Sequence, residues 1–231
     1  MSGAYAYGNS RQQLASPKIS DTPLVKPAKS PGRKPPTEML EHLLDTAFEA
    51  FAAHGYEGAS MRQIAAGAGT TIQRVTYHFP SKEAPWKGVM TPIVQRFDER
   101  RRRVLNECRA QPASVKLRRL IVDMVHFLAE FPGVHRIMTF EAARPSPRLQ
   151  WLYDNLLKSR VRETVHIIKA AQRDRAVRQI DAARLYYAIL SISAVPFTIA
   201  AEFKLTTGRD PFDPEEVEKT IDFICALIIR D

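Results

Sequence analysis

Cysteine is scarce: Cys108 and Cys225 are the only two in 231 residues. Two thiols cannot make a disulfide framework, so both are expected as buried side chains and a reducing cytoplasm is the simpler setting. Long hydrophobic runs are lacking too. The longest uncharged stretch, Leu185 to Ala201, has seventeen residues and is broken by Ser191, Ser193, Pro196 and Thr198. A membrane span needs roughly 20 predominantly apolar residues, so this stretch reads as a buried helix. The N-terminus, with Arg11 and Lys18 in a polar setting, has no apolar core of a signal peptide. Enzyme fingerprints are missing as well: there is no nucleophile elbow, phosphate loop or dinucleotide motif. The six histidines include no HExxH pair and have no cysteine-rich partner, so neither a metal nor another cofactor is expected. No strand alternation, hairpin signal or internal repeat is found.

What the chain does carry is positive charge, unevenly placed. The net charge is +9, with 45% apolar and 26% charged residues. Residues 1–36 contribute +5, residues 37–80 −3, residues 81–111 +4 and residues 112–231 +3. A basic chain invites a nucleic-acid or anionic-membrane partner, but here the excess sits in the tail and around Arg100 to Arg103. That arginine run reads more simply as a solvated helix face. Residues 1–36 also hold six of the sixteen prolines and four large aliphatics. They cannot bury enough apolar surface to offset ordering, which predicts a flexible basic arm.

From Thr37 onward the apolar period is helical. Leu40, Leu44, Ala47, Phe48 and Phe51 form one stripe, with Gly55 as a stop. Ser60 with Gln63 is a capping box for a short second helix, closed by Gly67 and Gly69. Thr71 caps a third short helix ending near His78. Ser81 opens a long fourth helix toward Cys108, with a kink expected at Pro92. Ser114 opens a fifth, carrying Leu117, Ile121, Met124, Leu128 and Phe131. A short helix spans about 134–143, and Ser146 with Pro147 starts another through about Arg173. Asp181 and Asp213 open the last two. The expected fold is all-α: an arm over 1–36, a three-helix unit over 37–84 and a helical unit over 85–231.

Two short capped helices joined through Gly67-Ala68-Gly69-Thr70 have the dimensions of a helix-turn-helix. Met61, Ile64 and Ala65 face the first helix, and Val75 and Phe79 lock the third beneath them. The outer side of the third helix then presents Thr71, Gln73, Arg74 and Tyr77. Such side chains suit base edges and phosphates. An ordinary αα-hairpin in a bundle has the same spacing.

Particular strings separate the two. Gly32-Arg33-Lys34-Pro35-Pro36, the run Phe51 to Ala65 (FAAHGYEGASMRQIA), Ala68-Gly69, and Tyr77 to Ala84 (YHFPSKEA) resemble the N-terminal domain of the TetR family of bacterial transcriptional regulators. The motifs cover about a quarter of the chain. The resemblance implies that Arg62 reaches a base, that Thr71, Gln73, Arg74 and Thr76 face the major groove, and that Tyr77, His78 and Lys82 contact phosphate. Thr70, Ile72, Gln73 and Thr76 depart from the residues usual there. Periodicity turns Ile72 inward, whereas the family template turns it toward DNA.

The resemblance also implies an effector pocket bounded by helices four to seven. Met124, Phe127, Phe140 and Trp151 are its candidate lining, set against plain core packing. Near the C-terminus, Leu185, Ile189, Ile192, Ile199 and Phe203 form one seam and Tyr186, Leu190, Phe197 and Ala200 a second, followed by Val217, Ile221, Ile224 and Ile228. A helix apolar around much of its girth needs partners on two sides. A four-helix homodimer interface is expected, against a thicker monomeric core. The function expected is a homodimeric, effector-released repressor on double-stranded operator DNA. The alternative is a helical ligand-binding or protein-interaction module that no longer binds DNA.

Overall fold

Ser60, Thr71, Ser146 and Asp181 each accept a backbone N–H three residues ahead through the side-chain oxygen, and these caps set four of the helix starts. The computed structural model describes residues 36–230. The basic arm expected over residues 1–36, including Arg33 and Lys34, lies outside them but for residue 36. In order the helices are α1 (Pro36–Gly58), α2 (Met61–Gly67), α3 (Ile72–His78), α4 (Glu83–Glu107), α5 (Ala113–Glu130) and α6 (Pro132–Ala142). They continue as α7 (Pro147–Leu152), α8 (Lys158–Arg173), α9 (Ala182–Thr198), α10 (Ala200–Thr207) and α11 (Pro214–Ile228). A π-helical turn over Tyr153–Leu157 joins α7 to α8 without a break. Among the described residues there is no strand, only an isolated bridge between Val177 and Ile229. The fold is all-α, as expected.

Two apolar clusters hold the helices. The first gathers Leu43, Ala47 and Phe51 of α1, Ile64 and Ala65 of α2 and Val75 of α3. It runs on without interruption into Trp86, Met90 and Phe97 of α4 and Ile137 of α6. The expected boundary at residue 84 therefore divides the elements but not their core. The second cluster joins α5, α8, α9 and α11 through residues such as Ile121, Ile168, Ile189 and Ile224. Cys108 and Cys225 are both buried free thiols.

Several expectations need correction. Ser81 and Ser114 do not cap: α4 starts after Lys82 and α5 after Pro112, neither with a side-chain cap bond. The Arg100–Arg103 run is not uniformly solvated. Arg101 is buried and binds Glu163 and Thr164 of α8, while Arg100 pairs with Asp123 and Glu130 of α5. Only Arg102 and Arg103 are exposed, so half the run fastens α4 to its neighbours. The seam from Leu185 to Phe203 is not one helix face, because the axis turns by 77° between α9 and α10. Val217, Ile221, Ile224 and Ile228 all pack inside the second cluster. Among the described residues no single helix is long and apolar enough to cross a membrane.

Candidate DNA interface and effector cavity

The helix-turn-helix is built from the inside out. Val75 is 0% exposed and, with Phe79, pins α3 onto α1 and α2. Gly69 carries the turn at φ +60°, a left-handed conformation that disfavours any residue with a Cβ. The Thr71 hydroxyl accepts the Arg74 N–H at 3.3 Å, and the Thr76 hydroxyl donates back to the Ile72 and Gln73 carbonyls. Both threonines thus keep only part of their bonding capacity for a partner. Gln73 and Arg74 are exposed, and among the described residues neither side chain makes a hydrogen bond or ion pair. Tyr77 is 83% exposed, its ring edge-on to half-buried His78. Arg62 is exposed on α2. Ile72 is half-buried yet stands outside the core cluster, so it follows neither the inward nor the fully outward expectation.

Lys82 has a different task from the one its position suggests. Its Nζ donates to the carbonyls of Ala59 at 3.1 Å and Glu57 at 3.4 Å, and lies 4.4 Å from the Tyr56 ring centroid. It closes the carbonyl end of α1, the part of a helix that most needs donors. The Arg148 guanidinium lies 3.5 Å from the same Tyr56 ring. Arg148 also binds Glu141 of α6 and Glu57 of α1, each at 3.0 Å. Burial alone would lower the Arg148 pKa, but Glu141, Tyr56 and Glu57 together outweigh it and the net shift is upward. Burial raises the Tyr56 pKa against the pull of Arg148. Tyr56, Lys82, Arg148, Glu141 and Glu57 together clamp the helix-turn-helix to α6 and α7.

Beyond this clamp a cavity of about 790 Å³ opens between α4, α5, α6, the π turn, α8 and α9. That is within the range of roughly 300–1,000 Å³ usual for small-molecule sites. Met124 and Phe127 line it. Phe140 and Trp151 do not: Phe140 is 50% exposed and packs on Gly55 of α1, and Trp151 stands edge-on to buried Trp86 at 5.7 Å. Both lie on the far side of their helices, toward α1 and α4. His135, on the wall, has its Nδ1 2.9 Å from the Thr198 hydroxyl. That hydroxyl also lies 2.9 Å from the Ala194 carbonyl, so Thr198 bridges the ring to the backbone of α9. Burial lowers the His135 pKa.

The same order of elements appears in known proteins. Residues 43–84 match the model of bacterial regulatory proteins of the tetR family, and residues 114–228 match that of the Tetracyclin repressor-like C-terminal domain. The chain belongs to the TetR family. The transcriptional regulator RutR of Escherichia coli O157:H7 is 23% identical over 188 residues, which cover 81% of this chain and 87% of that protein. Among solved structures, the ketosteroid transcriptional regulator KstR2 of Mycobacterium tuberculosis superposes with a TM-score of 0.69 at 19% identity, over 83% of this chain and 95% of that one. A putative fatty acid metabolism regulator of Clostridium perfringens gives 0.60 at 20% identity, over 80% and 94%. As a TetR-family member the chain is a DNA-binding transcriptional regulator and not an enzyme.

Sequence reasoning passed over three residues of this TetR-family site. Arg160 lines the cavity, and its guanidinium lies 3.6 Å from the Phe97 ring centroid. The signal was present: Arg160 takes the place of an apolar residue on the helical stripe through Leu156, Thr164 and Ile168, all buried. His135 gave no such signal, because Thr198 lies 63 positions away, and of the Arg148 partners only Glu141 is near in sequence, seven positions off, while Glu57 is 91 away.

Proposed function

We propose that the protein is a homodimeric repressor that grips operator DNA with the α3 helix of each protomer and leaves it when a small molecule fills the cavity. The observation that carries the reading is the free outer face of α3, where Gln73 and Arg74 are exposed and, among the described residues, without internal partners on a helix fixed by Val75. Arg74 suits a guanine edge and Gln73 an adenine edge. Arg62, Thr71, Thr76, Tyr77, His78 and Lys82 supply the remaining base and phosphate contacts, Thr71 and Thr76 through their unused lone pairs and Lys82 by leaving the Glu57 and Ala59 carbonyls.

The dimer reading rests on a second apolar face. On α11, Phe223 is 61% exposed and Leu227 lies one turn further on, opposite the stripe that enters the core. On α9 and at its end, Tyr187, Val195 and Ile199 stand exposed at eight- and four-residue intervals. Pairing these faces about a two-fold axis gives a four-helix interface. It also sets two recognition helices to be about 34 Å apart in successive major grooves.

Two connections link cavity and DNA. Helix α4 starts beside α3 and lines the cavity with Met90 and Phe97. Helix α6 lines it with His135 and Met138 while its other side bears Glu141 and Phe140 against the end of α1. An effector that moves α6 or α4 changes the spacing of the two α3 helices, and Pro92, which lacks a backbone donor, is the weak point of α4.

Charge adds one more element. Residues 37–80 are net −3 and repel DNA at long range, and Arg100 and Arg101 are neutralised by carboxylates. Attraction therefore comes mainly from the +5 arm over residues 1–36 and from the remaining basic residues after Ser81, and deleting the arm should flatten the salt dependence of binding. A gel shift on fragments flanking the protein's own coding region tests the reading. A complex competed by the same fragment but not by random DNA is expected. The absence of any competable complex would favour a helical module without DNA binding.

A further inference from the structure

The cavity has a charge signature that its size and apolar wall do not require. Four of its lining side chains are permanently cationic, namely Lys158, Arg160, Arg162 and Lys169, and its lining includes no aspartate or glutamate. Lys158, Arg162 and Lys169 are exposed at the solvent side, where they raise the local concentration of anions. Arg160 is set deeper and is half-buried. Its guanidinium stacks on buried Phe97 and forms no ion pair or side-chain hydrogen bond among the described residues. Two of the carboxylates near it are committed elsewhere, Asp123 to Arg100 and Glu163 to Arg101. Asp98 and Asp123 attract it from beyond ion-pair distance, while Arg101 repels it.

A charge withdrawn from water without a counter-ion is costly, and the contact with Phe97 returns only part of the lost hydration. Desolvation pushes the Arg160 pKa down to about 10, so the group is still cationic at neutral pH. Neighbouring side chains describe the rest of the occupant. Met90, Met124 and Met138 line the wall, and thioethers adapt to hydrocarbon of varied shape. The π turn lines it with Tyr153 and Leu156 just before Arg160, and such turns recur at ligand sites.

We propose that the occupant of this cavity is a monocarboxylate with a flexible hydrocarbon body, its carboxylate on the Arg160 fork and its chain among Met90, Met124 and Met138. The guanidinium matches a carboxylate with two parallel hydrogen bonds. Lys158, Arg162 and Lys169 stand at the solvent side, so at the depth of Arg160 one cation balances one negative charge. The assignment rests on the cavity being a ligand site, as the proposed function has it, and not on DNA binding or on release from the operator.

Calorimetric titration of the full chain with decanoate, methyl decanoate and decanol tests it. Decanoate should bind at least about tenfold more tightly than the ester or the alcohol, since only the acid makes the charge-assisted pair. Arg160→Met should reduce decanoate to the affinity of decanol and leave decanol unchanged, and Arg160→Lys should keep part of the preference. The comparison of acid with alcohol on the unmodified protein needs no variant, so a misfolded Arg160→Met protein does not remove the test. Equal affinities for acid and alcohol, no binding of decanoate, or a preference that survives in Arg160→Met would each overturn the assignment. Gel shifts with decanoate separate the two readings. Arg160-dependent binding that leaves the DNA complex intact upholds the site and removes its role as an effector site, while loss of the complex upholds both.

Discussion

Replacing Gly55 by alanine tests the joint between the DNA-binding helices and the cavity. Gly55 ends the regular part of α1 at φ 65°, ψ 177°, a combination open essentially only to glycine, and holding another residue there costs about 1–3 kcal/mol. A Cβ at this position would also sit 2.9 Å from Cγ of Phe140. Two effects work against this cost. The Phe140 ring is half-exposed and can swing outward, and alanine lowers the entropy of the unfolded chain by about 0.4–1 kcal/mol. The backbone cost exceeds that gain over most of its range, so Gly55→Ala should be destabilising by about 1–2 kcal/mol. For a chain of this length that is a fall of roughly 2–8 °C in Tm. Urea melts of Gly55→Ala in the wild-type and Phe140→Ala backgrounds separate the two origins. The backbone part should persist when the ring is gone, while any steric part should vanish. A Gly55→Ala protein as stable as wild type in both backgrounds would refute the reasoning.

Arg148→Met should cost about 3–5 kcal/mol, because it leaves the buried Glu141 carboxylate without its cation; adding Glu141→Gln should restore part of that loss in a denaturant melt. Burial lowers the His135 pKa from 6.5, so just below that pH the unfolded chain binds a proton that the folded chain refuses. Folding is then weakened as pH falls, and the drop in urea midpoint from about pH 7.5 to 5 should be smaller in His135→Gln than in wild type. Phe223→Glu places a charge on the exposed face of α11 without touching the core, and light scattering should show a folded monomer for it and the proposed dimer for the wild type. Ile221 is 4% exposed, so Ile221→Glu would instead unfold the protomer and say nothing about the interface.

How much of this was legible depended on the range of each interaction. The caps at Ser60, Thr71, Ser146 and Asp181 act over three residues, and local spacing placed them. The helix-turn-helix was legible for the same reason, its turn glycines and the anchors Val75 and Phe79 all lying within twenty residues. Ser81 and Ser114 misled because a serine near a helix start is only a candidate cap until the backbone picks its first turn. The α9–α10 break was hidden because Pro196 and a run of apolar residues do not say where an axis bends. Phe140 and Trp151 were aromatic and near the cavity in sequence, but helical rotation turned them toward α1 and α4. The clamp around Tyr56 draws on α1, the residue before α4, α6 and α7, and no local pattern encodes such a meeting. Arg160 was the exception: a cation on an apolar stripe was visible in the sequence, and only the three-dimensional arrangement showed that, among the described residues, no carboxylate pairs with it.

Everything proposed for the DNA-binding helices depends on whether α3 reads sequence. Fluorescence anisotropy of wild type and Arg74→Ala on the fragment that the protein prefers, and on random DNA of equal length, measures this directly. If Arg74 holds a guanine edge, its loss should weaken the preferred complex by about 1–3 kcal/mol, roughly five- to 150-fold. The random complex should weaken far less, since it depends on phosphate charge alone. Equal losses on both, or no preferred fragment in the wild type, would contradict the assignment of α3 as the recognition helix.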